Sequence, residues 1–438
     1  MDGLQKFKDF IKYNDIELSP LLRIRHDDEN DQGYYVELDG NAMTDQEFIA
    51  EGTLLARIPK ASVLSTSSAG ISNLIPDEMH GTLCGLVVAY MFERASGERS
   101  PWSGYIATVP AVELGCMRFW TAEQQQVVAG TDAADVLRAA EAELQDMYEQ
   151  QAAPLLERHG QVMSTAAGAE IDYGFEAFCR AASVVGARCF EVDAHIGLGM
   201  CPVADTFNHS DDPDVRFETT FEVCEWCGAV NGCEHEGFTY SDDEGENEEE
   251  EDDDDDDEPV DTCDIVAHRA IPRPLFGTRQ VFNSYGPLTT AELVVKYGFA
   301  LATNRHDYVS LEREARRWFR DQGFAWPKRQ HHDDDDDDDY NDDDEIDVPR
   351  VDHDGRVRGV ARLLEPVVGR AAAAQISIEL VRQRLQRLQR PGNPSGHELQ
   401  FAAGLEPAGP TRTGLQVVAG ALLGLGRVSL SAGKSKSG

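Results

Sequence analysis

The chain has no long apolar run. No uncharged hydrophobic stretch reaches the roughly 18 residues needed to cross a bilayer, and the nearest, 417–425, is short and broken by glycine. A membrane protein is therefore not expected. Residues 1–16 are mixed in charge and lack the apolar segment of a secretory signal. Cysteine is sparse, nine in 438 residues, odd in number and scattered. That argues against a disulfide framework and for a reducing compartment, the cytoplasm or the nucleus. Basic residues are also few, 39 Lys and Arg against 80 Asp and Glu, for a net charge of −41. A chain so acidic repels the nucleic-acid backbone, so no direct nucleic-acid partner is expected. Internal repeats are absent.

The length and the 41% hydrophobic content suit two or three folded domains with a substantial core. The negative charge is concentrated: 242–258 holds 15 acidic residues and 333–347 holds 12, and the rest of the chain has a net charge of only −14. Both runs are too charged and too poor in apolar residues to bury a core, so two acidic disordered insertions are expected. They serve either as solubilising loops or as long-range attractors for Lys/Arg-rich partners.

Periodicity outlines the elements between these runs. Leu4, Phe7, Phe10 and Ile11 predict a short amphipathic helix. Short strands are read at 21–25, 34–38 and 52–59. The region 77–160 reads as helical, with Leu83, Leu86, Val87, Tyr90 and Met91 on one face and Val136, Ala140, Leu144, Met147 and Leu155 on another. A helix is expected from Tyr173 through Ala187-Arg188-Cys189-Phe190, and further helices over 311–319 and 356–390. The glycine-rich end from Gly404 is expected to be loosely ordered.

Three separated segments carry the chemistry: Pro202-Val203-Ala204-Asp205-Thr206-Phe207-Asn208-His209-Ser210, then Phe282-Asn283-Ser284-Tyr285-Gly286, then Lys296-Tyr297-Gly298-Phe299. Each alone reads as a turn or a strand end. In this order they resemble the closing half of a SET domain, the methyltransferase fold that uses S-adenosylmethionine. The branch they resemble most is that of the Rubisco and ribosomal-protein lysine methyltransferases. The opening strands, the Pro101-Trp102-Ser103-Gly104-Tyr105 segment with Phe119-Trp120, and Arg188-Cys189-Phe190 fall where that branch has matching features.

The resemblance implies an α+β fold, a strand-rich SET core split by a helical insert and followed by a helical substrate-binding domain. In chain order the expected parts are 1–76 and 171–300 for the SET core (with an acidic loop at 241–260), and 77–170 for the insert. The helical domain would cover 301–403 (acidic loop 331–349), with 404–438 as a tail. The implied activity is S-adenosylmethionine-dependent protein-lysine methylation by a monomer acting on a Lys-rich protein, a ribosomal protein first and a histone second. Tyr285 would orient the amine in the lysine channel, with Phe299 beside it. Asn208 and His209 would bind the cofactor, supported by Arg188, Asp205, Tyr297 and Gly33. The family's second N-terminal glycine is replaced in Gln32-Gly33-Tyr34-Tyr35-Val36 by Tyr35, a side chain at a close backbone approach. Thr290-Ala291-Glu292-Leu293 stands where the family often has asparagine before Glu-Leu. Alternatives are methylation of histidine by the same fold, a non-catalytic SET-like binder, and an acidic chaperone for basic proteins.

A further cluster lies between the motif halves: Cys224-x-x-Cys227, Cys233 and His235. Four such ligands within twelve residues suit a structural zinc knuckle, although the gaps are shorter than in common zinc modules. Gly228 and Gly232 would supply its tight turns, and Cys263 is an alternative fourth ligand. Unpaired thiols in a reducing cell are the plainer reading.

Overall fold

Leu22 and Ile24 are buried and alternate with Arg23 and Arg25, the period-2 pattern of a half-buried strand. In the structure, a computed structural model, Leu22–Asp27 pairs antiparallel with Gly33–Asp39, which in turn pairs with Thr278–Gln280. The residues described are 3–27, 33–43, 47–230, 233–235, 261–301, 303–324, 350–352, 357–358, 380 and 383. The two acidic runs, Gln32, Gly232, the tail from 404 and nearly all of the helix expected over 356–390 lie outside them. Within 356–390, residues 357–358 form a short strand that pairs with Arg350–Asp352.

The chain divides into two compact units, Met1–Glu113 with Glu141–Gly286, and Leu114–Ala140 with Pro287–Gly438. This division crosses the linear boundaries drawn from the sequence, because 114–140 of the expected insert and 287–300 of the expected SET core fall in the second unit.

Most of the described strands lie in the first unit. A four-stranded antiparallel sheet has the order Glu17–Leu18, Leu54–Pro59, Thr262–Ala267, Val215–Thr219. A three-stranded sheet joins Leu64–Ser65, Gly197–Met200 and Cys189–Asp193. Helix Leu83–Ser96 is buried nearly all round and packs on helices Phe175–Gly186 and Ala153–Ala167. The N-terminal helix Gly3–Tyr13 buries Phe7 and Phe10 against Tyr105, with ring centroids 6.0 and 6.3 Å away. These side chains join one continuous core with Val36, Leu38, Ile58, Phe178 and Phe207.

One expectation needs refining and one needs correction. The apolar face read through 136–155 lies on a helical run that is not regular α-helix throughout: Asp132–Met147 passes through a wider π-helical turn at Tyr148–Ala152 into Ala153–Ala167. Pro154 lacks the N–H that would continue the ladder, and its ring crowds the preceding turn. The helix expected to run to Phe190 stops at Gly186, and Cys189–Asp193 is a strand. Val192 is buried there beside exposed Glu191, so strand alternation has replaced helical period. Arg188 is thereby placed in the connecting turn.

In the second unit, Met117, Trp120, Val128, Ala133 and Leu137 form a small core with Val294 and Val295. Helix Thr290–Tyr297 starts in a capping box in which Thr289 accepts from the Glu292 N–H and Glu292 accepts from the Thr289 N–H. The Thr290 hydroxyl and N–H both bond Asp307. The Thr-Ala-Glu-Leu segment is thus a helix start in its own right. Gly298 closes this helix at φ +79°, and a Cβ there would stand 2.1 Å from the Gly115 carbonyl carbon, so only glycine fits. Among the described residues no helix is long and apolar enough to cross a membrane.

Candidate active site

The two main motif halves meet in the first unit. Asn208–His209 pairs with Phe282–Asn283 in a two-stranded parallel ladder, Phe282 opposite Asn208 and Asn283 opposite His209. All other described ladders are antiparallel. The Ser210 N–H donates to the Asn283 carbonyl (2.9 Å), and the Asp214 N–H to the Phe282 carbonyl (2.8 Å), extending the crossing. On the other side the Val281 N–H donates to the Val36 carbonyl, which ties the crossing to the strand Gly33–Asp39.

This geometry delivers Tyr285 to His209. The Tyr285 N–H donates to His209 Nδ1 at 3.0 Å, and the two rings stack with centroids 5.2 Å apart. Nδ1 is therefore the acceptor nitrogen, and the proton of the neutral ring sits on Nε2. The Tyr285 hydroxyl donates to the Phe207 carbonyl at 3.3 Å.

The turn before Asn208 is strained. Val203 is fully buried at φ +73°, ψ −49°, a conformation a β-branched residue rarely adopts, costing about 1–3 kcal/mol. It is held by the Thr206 hydroxyl and N–H, which both donate to the Val203 carbonyl. The strain aims Asp205 inward. Its Oδ2 accepts from the Tyr105 hydroxyl at 2.8 Å and lies 3.7 Å from Arg188 Nη1, while Arg188 Nη2 pairs with Glu113 at 2.6 Å. Burial raises the Asp205 carboxyl to about 6, against the opposing pull of Arg188 and the Tyr105 hydroxyl. Burial works to lower Arg188, but the surrounding Glu113, Asp205, Tyr105 and Tyr285 outweigh it and hold the guanidinium above its ordinary value. Two buried atoms of this group, Arg188 Nε and Asp205 Oδ1, have no hydrogen-bond partner.

A second carboxylate, Asp214, is wholly buried and saturated. It accepts from Arg279 at 2.7 Å to both oxygens, from Arg269 at 2.9 Å and from the Phe282 N–H at 3.2 Å. Sequence reading passed over Asp214, because one Asp among the polar residues of 210–214 reads as part of a turn. It also missed Tyr105 and Glu113 as members of the site, although Tyr105 ends a segment that had been singled out.

The remaining sequence candidates fall elsewhere. Gly33 opens its strand at φ +66°, opposite Asp27. Tyr35 sits across from Arg25, on the strand face shared with Glu37. Tyr297 and Phe299 belong to the second unit, with rings 6.2 Å apart, and their expected roles rest on the resemblance. A cavity of about 850 Å³ in the second unit, lined by Asp132, Glu292, Arg313 and Arg316 among others, contains none of the motif residues. Cys224, Cys227, Cys233 and His235 converge, with all four ligand atoms within 4.8 Å of one another. Cys263 does not join them. It is buried against Cys201, and its neighbour's thiol is pushed up by that burial.

No protein-family model matches the chain. The solved SET domain of LSMT bound to lysine and AdoHcy superposes with a TM-score of 0.61 at 14% identity, covering 97% of this chain and 89% of that one. Rubisco LSMT bound to AdoMet superposes at 0.60 with 13% identity, over 98% and 90% of the two chains. This is a SET-domain fold. Among curated proteins, the SET-fold chain is similar to ribosomal lysine N-methyltransferase 3 of Saccharomyces cerevisiae, 26% identical over 324 residues, 60% of this chain and 57% of that protein. It is also similar to the N-lysine methyltransferase SETD6 of Mus musculus, 23% identical over 317 residues, 68% of this chain and 54% of that protein. The chain thus spans little more than half the length of the curated relatives it matches.

Proposed function

We propose that this SET-fold chain is an S-adenosylmethionine-dependent protein-lysine N-methyltransferase acting on a Lys-rich protein, a ribosomal protein first among the candidates. The observation that carries the reading is the parallel crossing that fixes Tyr285 at both ends, its N–H on His209 and its hydroxyl on the Phe207 carbonyl. The names of the curated relatives support the lysine and, in the yeast case, the ribosomal part.

The residues at the turn fit the cofactor's amino-acid end. Arg188 Nε is a buried donor in want of an acceptor, Asp205 Oδ1 is a buried acceptor in want of a donor, and the half-buried Asn208 amide has no hydrogen-bond partner among the described residues. A zwitterion offers the complementary carboxylate and ammonium, and buried polar groups of this kind are costly unless matched. Arg188, Asp205, Asn208 and His209 would hold that end. When bound, S-adenosylmethionine supplies the sulfonium methyl for an in-line displacement. The chain's own task is to present a neutral amine in line. A free lysine titrates near about 10.4, so the amine must shed its proton on entering the site, and desolvation favours that loss. The Tyr285 hydroxyl, with its proton committed to the Phe207 carbonyl, accepts an N–H of the amine and directs the nitrogen lone pair away from itself.

The test is transfer of tritiated methyl from S-adenosylmethionine to a mixture of ribosomal proteins and histones, with Tyr285→Phe and Asn208→Ala alongside. The expected result is label recovered as methyl-lysine after hydrolysis, reduced about 100-fold by Tyr285→Phe. Label recovered as methylhistidine would replace the substrate residue in this reading. Silence from the wild type, with no cofactor binding by calorimetry, would overturn it.

A further inference from the structure

The cysteine–histidine cluster takes no part in the proposed methyl transfer, and it lies at a defined place in the fold. Residues 220–261 leave and re-enter at the tip of the hairpin formed by Val215–Thr219 and Thr262–Ala267. Both ends of this segment are gripped by Lys60, which is almost fully buried. Its Nζ pairs with Asp193 at 2.6 Å, donates to the Thr220 carbonyl at 3.1 Å and reaches the Asp261 carboxylate at 3.3 Å. The first leg then runs along the Asp193–Ile196 turn. The Ala194 N–H donates to the Phe221 carbonyl, and His195 Nδ1 lies 2.8 Å from the Glu225 carbonyl oxygen.

We propose that Cys224, Cys227, Cys233 and His235 bind one structural zinc ion at the root of this insertion. The donor set, three thiolates and one imidazole, is of the kind that builds closed tetrahedral zinc sites. The spacing agrees. His235 Nδ1 lies 3.5 Å from Cys224 Sγ and 3.4 Å from Cys233 Sγ. A tetrahedral ion with bonds of about 2.3 Å to sulfur and about 2.0 Å to nitrogen sets a sulfur–nitrogen edge of about 3.5 Å.

The backbone is already shaped for it. The Gly228 N–H donates to the Cys224 carbonyl at 2.8 Å, and the Cys224 N–H to the Ala229 carbonyl at 2.9 Å, which closes a tight turn over the first two ligands. Gly228 sits at φ +72°, and a Cβ there would meet the His195 ring at 3.1 Å. All three cysteines are free of disulfides. Four protein ligands leave no open position, so the ion is structural. Its effect is to make the first leg of the insertion a fixed stem.

The full chain, purified without chelator, is analysed for metal by inductively coupled plasma mass spectrometry, and the metal-stripped chain is titrated with cobalt(II) alone. The expected content is about one zinc per chain, with the visible absorption of tetrahedral thiolate-rich cobalt in the titration. Cys227→Ser and His235→Ala, both at exposed positions, should lose at least nine-tenths of the zinc while keeping the wild-type circular dichroism. Wild type that holds no zinc and develops no cobalt band would overturn the site, as would variants that retain zinc at the wild-type level, or iron in place of zinc. If a variant unfolds, the cobalt titration of the wild type decides alone. None of these readouts depends on methyl transfer, so the zinc site and the enzymatic reading stand or fall separately.

Discussion

Two buried aspartates nine residues apart, Asp205 and Asp214, have been treated in opposite ways by the same fold. Asp214 is surrounded: two arginines and a backbone N–H occupy both of its oxygens. Asp205 receives one hydroxyl and a distant guanidinium, keeps one oxygen unpartnered, and has its carboxyl pushed up by burial to about 6. Saturated groups hold a frame together. A buried group left incomplete is a cost the fold bears, and such costs gather where a ligand is expected to complete them. The contrast separates the girder of the crossing from the place where chemistry is proposed.

The contrast can be broken most forcefully at Asp214. Asp214→Asn removes the charge that faces Arg269 and Arg279, and should destabilise the chain by about 3 kcal/mol, a value reduced for the partial exposure of both arginines. Chemical denaturation at neutral pH measures this loss.

At Asp205 the sign reverses with pH. Its folded value, about 6, lies above the 3.8 of an ordinary aspartate, so folding favours the protonated form. That contribution is full below pH 4 and is lost as the pH rises through 6. Asp205→Asn cannot ionise and should gain on the wild type across this window, by about 3 kcal/mol once the pH is above 7. A denaturation series from pH 4 to 8 measures it. A flat difference would place Asp205 with Asp214 and end the contrast. The same variant should weaken S-adenosylmethionine binding in calorimetry, since the negative charge is gone and one of the two acceptor oxygens becomes a donor.

The smallest effect sharpens the comparison. Tyr105→Phe removes the hydroxyl that donates to Asp205 Oδ2, at a cost of about 1 kcal/mol near neutral pH. It should also move the Asp205 titration upward, because that hydrogen bond favours the ionised form. No such shift should follow from substitution at Arg279.

Much of this was legible from the residues. The opening strands and the N-terminal helix stand where alternation and helical spacing put them. What escaped has a common physical cause. The Tyr105–Asp205 bond spans 100 residues, and the Arg279–Asp214 pair spans 65. Neither leaves a periodic trace. The end of the helix at Gly186 was misjudged because the apolar residues around it satisfy helical and strand spacing alike over so short a stretch. Arg188 was singled out for the cofactor, not for Asp205, which it approaches at 3.7 Å from a turn and not from the helix expected for it. Cys263 was weighed as a ligand on chain proximity, whereas its strand turns it into the core.

The Lys60 clasp has a consequence for how this chain tolerates length. Thr220 and Asp261 are held at one point, so whatever lies between them is a closed ring hung from a single buried ammonium. The entropy of closing such a ring grows only with the logarithm of its contour, about 0.6 kcal/mol for each doubling. Forty residues can therefore be suspended there, or eighty, with almost no toll on the crossing that positions Tyr285. The ammonium acts as a drawstring: pulled tight, it makes the size of the pouch irrelevant to the seam.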